Sequence, residues 1–206
     1  MIVHARGWIV GIAGSALALG LLGPGQAADD SKELVESVKK VAAALAKNDA
    51  SEAKKLADGF GKKFENEDAM ALFGPRTKSD GKMGRGLGVG SKPGVLKPDG
   101  IEKKLMELAK KPLPDKQLAD EADALTTMGY DMAALAAIAH GSEPSDKDKK
   151  PVYKKRKKDW ETWADELKDA SLKLATAAKD KKAGDLHKIA TKADETCSKC
   201  HAVFRD

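Results

Sequence analysis

The sequence predicts an all-α fold, an antiparallel four-helix bundle interrupted by an irregular Gly-rich insertion. Three observations carry that expectation. Ala, Lys, Leu, Glu and Asp dominate, while aromatics are only 4% of the 206 residues, a composition that favours helices over strands. Apolar residues recur at three- and four-residue spacing along four long segments. Caps and turn residues punctuate those segments, with short turns toward the C-terminal end. An all-β sandwich is excluded by the composition, and a polytopic membrane protein by 33% charged residues and a mean hydropathy of −0.47. Two cysteines cannot supply a disulfide framework, so a packed core or a bound group must provide stability.

Residues 1–27 read as an export signal. Arg6 precedes an apolar run from Trp8 to Leu22, Gly23-Pro-Gly25 ends it, and Gly25-Gln-Ala27 offers small residues before a cleavage point. The run is short for a membrane span, so no anchor is expected after cleavage, and the destination is the periplasm. Cleavage removes one Arg and no acid, which lowers the formal charge by one from +5.

Asp30-Ser31 caps a first helix whose stripe is Leu34, Val38, Val41 and Leu45. Asp49-Ala-Ser-Glu52 is a capping box that restarts a helix carrying Leu56, Phe60 and Phe64, so the two pieces are one kinked helix or two. Seven glycines and Pro75, Pro93 and Pro98 between Gly81 and Gly100 or just before forbid regular structure. Asp99-Gly-Ile-Glu102 opens a short helix that Pro112 and Pro114 stop. Asp115 then caps a long segment to His140, with Leu118, Ala122, Leu125, Met128, Met132, Leu135 and Ala139 on one side. Another helix starts near Pro151 with a stripe from Trp160 through Trp163, Leu167 and Leu174 to Ala178. The last presents Leu186, Ile189, Ala190, Ala193, Cys197, Cys200 and Phe204 on one face.

Both cysteines lie in Cys197-Ser-Lys-Cys200-His201, the attachment pattern of a c-type haem. On a helix the two thiols share one face, where each can form a thioether to a vinyl group. His201 follows one turn after Cys197 on the same side, and its imidazole is a good iron ligand. A redox dithiol, a disulfide and half a zinc site compete for the same residues. The dithiol wants a strand-to-helix setting, and zinc wants further ligands that the isolated His140 and His187 do not supply.

Trp160-Glu-Thr-Trp163-Ala164, the turn at Gly184-Asp185, and Thr196-Cys-Ser-Lys-Cys-His201-Ala-Val-Phe204-Arg205 at the C-terminus resemble the cytochrome c′ family, the class II c-type cytochromes. The resemblance implies that 28–206 is one such domain with an insertion at 65–112. It implies one covalent haem c, with Cys197 and Cys200 as thioether residues, His201 as proximal iron ligand and Arg205 near a propionate. The family is an antiparallel four-helix bundle, periplasmic and commonly dimeric, so a homodimer is among the expectations.

In that family the sixth iron position faces the first helix. Here that helix carries no Met or His, and Val38, Val41 and Leu45 would form a dry pocket around a five-coordinate iron. Met70, just before the Gly-rich segment, is the competing sixth ligand, while Met128 and Met132 read as core filling. The Gly-rich loop lacks a phosphate-binding pattern and reads as a lid or a disordered insertion. Seven Lys/Arg from Lys149 to Lys158 oppose the helix dipole and suit an acidic redox partner rather than nucleic acid. The expected function is single-electron transfer by a periplasmic monohaem cytochrome, not an enzyme, since no distal acid–base pair is legible. The alternative is a protein that binds nitric oxide or carbon monoxide at the iron.

Overall fold

The computed structural model describes residues 24–78, 80–90, 92–93, 96–143 and 149–204, and every regular element among them is a helix. The expected signal segment lies outside the described residues except for its last four. No helix among them is long and apolar enough to cross a membrane.

α1 (Pro24–Ala46) runs back past the expected Asp30-Ser31 cap. Pro24 suits a first helical turn, and the Gln-Ala-Ala-Asp-Asp stretch that follows Gly25 offers no break. Asn48 then adopts a left-handed φ of +59°, and Asp49 caps α2 (Ala50–Lys63) by accepting the Glu52 N–H at 3.0 Å. The two pieces are therefore separate helices. They fold back on each other, with Lys63 paired to Glu33. α1 buries Leu34, Val38 and Val41 against α2 and α5 (Asp115–Gly141).

α3 (Asn66–Ala71) is a short helix that the sequence reading did not anticipate. The Gly-rich segment after it is wound around one guanidinium. Arg76 donates to the Gly90 carbonyl at 2.7 Å and lies 3.6 Å from Asp99, which accepts the Val89 N–H at 3.1 Å. Gly88 sits at φ +72°, a conformation that disfavours any side chain, and a Cβ there would fall 2.1 Å from the Arg76 Nε and displace the guanidinium. Asp99 is thereby diverted from the capping box expected of it. Gly100 occupies the cap position of α4 (Ile101–Lys110) with no side-chain bond. α4 is pinned to α5 by Lys104 and Glu121, in contact at 2.7 Å, with the Lys104 side chain wholly buried. Its C-terminal end meets α8 (Ala183–Phe204), where His187 Nδ1 lies 2.9 Å from the Leu108 carbonyl. His187 is thus half-buried.

α5 buries its whole expected stripe, including Met128 and Met132. The helix expected from Pro151 is broken at Arg156 (φ −119°, ψ 26°) into α6 (Lys149–Lys155) and α7 (Lys157–Lys179). α5, α7 and α8 follow one another antiparallel. Trp160 at the start of α7 donates its indole N–H to the Ala139 carbonyl at the end of α5, 2.9 Å away. Its ring meets Phe204 at the end of α8 edge-on, at 5.1 Å.

Two predictions arise from these contacts. A Cβ on Gly129 would sit 2.7 Å from the Ala175 backbone nitrogen, so α5 and α7 approach as closely as a hydrogen permits. Gly129→Ala should lower the unfolding free energy by about 1–3 kcal/mol through overpacking. That loss outweighs a helix-propensity gain of about 1 kcal/mol. Urea titration of the variant reads the net effect directly, and a midpoint that rises would mean the helices separate without cost.

Asp131 is nearly buried on α5 and contacts Lys39 at 2.5 Å, yet burial raises its pKa despite Lys39 and Arg76. The folded state therefore binds this proton more tightly than the unfolded chain. Stability from this site is present below the unfolded pKa and is lost as pH rises through the folded one. Urea titrations between pH 4 and 7 should show the wild type losing stability relative to Asp131→Asn as pH rises, and the opposite trend would refute the assignment.

Candidate functional site

The apolar stripes of α7 and α8 are covered unequally along their length. At the α7–α8 turn, Leu174, Ala178, Leu186 and Ala190 are buried. Toward the other end Trp163, Ala164, Leu167, Cys197 and Cys200 are only half-buried. The reason is a cleft of about 520 Å³, within the usual range of ligand sites, roughly 300–1,000 Å³. Its floor is Ala136 and Ala139 of α5, and one side is Trp160, Trp163, Ala164 and Leu167 of α7.

α8 contributes Cys197, Cys200, His201 and Phe204 to the same cleft. Helical spacing puts the two sulfurs on one face, and His201 rises beside them in the last turn. Phe204 holds this end of α8 in place, with Trp160 at 5.1 Å and Trp163 at 6.1 Å, both edge-on. Facing α8 are Asn66, Glu67, Met70 and Ala71 of α3, then Phe73, and Glu102, Leu105 and Met106 of α4.

Four residues singled out by sequence therefore meet here: Cys197, Cys200, His201 and Met70. Met70 and Cys200 pack against the same cluster of Ala139, Trp160 and Phe204. Val38, Val41 and Leu45, expected to form the distal pocket, are not among the residues that line the cleft. Their helix spends its apolar face on α2 and α5, while α4 packs against α8. Arg205 lies outside the described residues. The α3 and α4 wall is not legible as a wall in the sequence, although the short helix predicted from Asp99 spans Leu105 and Met106. Asn66 is 8% exposed, and its Oδ1 is buried with no hydrogen-bond partner. An orphaned acceptor of this kind costs about 1–3 kcal/mol unless a cleft occupant supplies a donor.

Burial pushes the Cys197 thiol up to about 12, with Asp194, Cys200 and Glu102 adding to it. Burial likewise pushes Cys200 up to about 11. Reactive redox dithiols show the reverse, a lowered thiol pKa. Among the described residues no group of three His, Cys, Asp or Glu is placed to hold a metal ion, so the cysteine pair lacks the further ligands of a zinc site. The residues suit a flat, largely apolar group instead. Two free thiols, an imidazole beside them, and aromatic and aliphatic side chains make up most of the lining. A second hollow of about 420 Å³ at the α7–α8 turn, lined by Lys173, Lys182 and Lys188, contains no Cys or His.

Apoprotein at pH 8 should react with iodoacetamide about 100-fold or more slower than free cysteine, because so little thiolate is present. Rapid alkylation, followed by mass spectrometry, would restore the redox-dithiol reading. Comparison of the chain with protein-family models, with curated proteins and with solved structures finds no match.

Proposed function

We propose that the chain is a periplasmic c-type cytochrome that carries single electrons on one covalently attached haem. The observation behind this reading is the meeting of Cys197, Cys200, His201 and Met70 in one apolar cleft. Cys197 and Cys200 would hold the haem through thioethers, each thiol adding its sulfur and its hydrogen across a vinyl double bond. His201 would ligate the iron from the α8 side. Bound there, the haem supplies a one-electron Fe(III)/Fe(II) couple.

The chain's own contribution is to bind, orient and keep dry. Trp160, Trp163 and Leu167 exclude water from one side, and Phe204 fixes the α8 turn that carries His201. Met70 offers a soft thioether from the facing wall, and a His/Met pair suits electron transfer better than ligand binding. The finer fold reading belongs to the same proposal: a class II-like four-helix bundle of α1, α5, α7 and α8, in which the insertion 65–112 takes over the far wall from α1. The motif of α8 and the antiparallel α5–α7–α8 run support it; the packing of α4 on α8 is the departure from that family's pattern.

The second reading is a five-coordinate haem that binds nitric oxide or carbon monoxide. It rests on Asn66, whose unpartnered oxygen could accept a hydrogen bond from a small molecule in the cleft. Optical spectra of the exported protein separate the two. A low-spin spectrum that carbon monoxide leaves unchanged is expected, and Met70→Ala should turn it high-spin and gas-binding. A wild type that is already high-spin, with Met70→Ala silent, would favour the gas-binding reading. Absence of covalent haem after denaturing electrophoresis would sink both.

A further inference from the structure

The basic segment before α7 lies against the cleft. Tyr153 of α6 is buried, and its ring meets Trp160 edge-on at 5.7 Å. The Arg156 guanidinium stands over the Trp163 ring at 5.7 Å. Trp160 and Trp163 both line the cleft, so one aromatic layer separates this segment from the site.

The outer face of the segment is strongly positive. Lys150, Lys154, Lys155, Lys157 and Lys158 are exposed, with Val152 among them. Arg156 pairs with Asp159 at 2.7 Å and Lys157 approaches Glu161 at 3.9 Å. Among the described residues, Lys150, Lys154, Lys155 and Lys158 have no carboxylate within ion-pair distance. Lys157 and Lys158 moreover open α7, where the helix dipole disfavours cations by about 0.3–1 kcal/mol each. Their placement does not serve helix stability.

We propose that this patch is the docking surface for an acidic partner protein that exchanges electrons with the group in the cleft, through contact over Trp160 and Trp163. The inference rests on the carrier reading above. An acidic protein fits better than the other polyanions. The one aromatic ring of the segment, Tyr153, is turned inward and cannot stack on bases. Val152 alone gives α6 no apolar face to lay into a bilayer. Each encounter moves one electron from the reduced protein to an oxidised partner, or the reverse, with no bond formed or broken.

The test compares two charge reversals in the haem-loaded full-length protein. One is Lys154→Glu/Lys155→Glu/Lys158→Glu, on the patch. The other is Lys110→Glu/Lys111→Glu/Lys116→Glu, which has the same net charge but lies around the α4–α5 turn, near the opposite end of α8. Fluorescently labelled poly-L-glutamate is titrated at low and moderate salt, and oxidation of the reduced protein by ferricyanide is followed by stopped flow.

The patch variant should lose about tenfold or more in both poly-L-glutamate affinity and ferricyanide rate at low salt. The turn variant should stay close to wild type. Equal losses in both variants would reduce the effect to net charge and overturn the proposal, as would no loss in the patch variant. Tight binding of phosphatidylglycerol vesicles through the patch, without poly-L-glutamate binding, would replace the acidic protein by a membrane. A wild type that binds poly-L-glutamate but carries no haem would instead sink the carrier reading.

Discussion

An apolar stripe runs the length of α7 and α8, and protein covers it fully only at the turn between them. At the turn between the two helices, Leu174, Ala178 and Leu186 are sealed by their neighbours. At the other end Trp163, Leu167, Cys197 and Cys200 face a cleft. Leaving so much aromatic and aliphatic surface beside water is costly unless something occupies it. The two cysteines, whose thiol pKa values burial raises, and the histidine beside them stand where an occupant would be tied down.

The far wall of the cleft depends on a device that is polar rather than apolar. α3 and α4 are joined by the Gly-rich segment, which has too few large apolar side chains for a core of its own. Arg76 replaces that core, gathering Gly90 and Asp99 around one charge. The buried contact between Lys104 and Glu121 then anchors α4 to α5. Breaking one partner of such a pair leaves an uncompensated charge and costs about 3–5 kcal/mol, against about 0–1 kcal/mol for an exposed pair. The position of Met70, Asn66 and Met106 therefore follows from two buried cations several residues away.

Charge also divides the surface. Glu67, Glu102 and Asp194 line the cleft, whereas the segment across the aromatic layer is basic. The Tyr153–Trp160–Phe204 stack joins these regions through ring contacts at 5.7 and 5.1 Å. Edge-on rings are worth about 0.5–1.5 kcal/mol per pair beyond their burial. The same stack thus holds α6, α7 and α8 together and brings the basic segment next to the site.

The sequence by itself determined the helical class, the apolar stripes of α1, α5, α7 and α8, and the common face of Cys197, Cys200 and His201. Those properties are local, because helical periodicity puts residues three and four apart on one side whatever the helix packs against. Only the tertiary structure decided which helix faces that motif. Val38 and Val41 are as apolar as a pocket requires, but α2 and α5 claim them. Met70 and Asn66 belong to a short helix with no long stripe to announce it, and α4 carries them no sequence signal of its proximity to α8. Long-range placement of this kind depends on competition among apolar faces and on buried partners such as Arg76–Asp99 and Lys104–Glu121, none of which is written in the spacing of one segment.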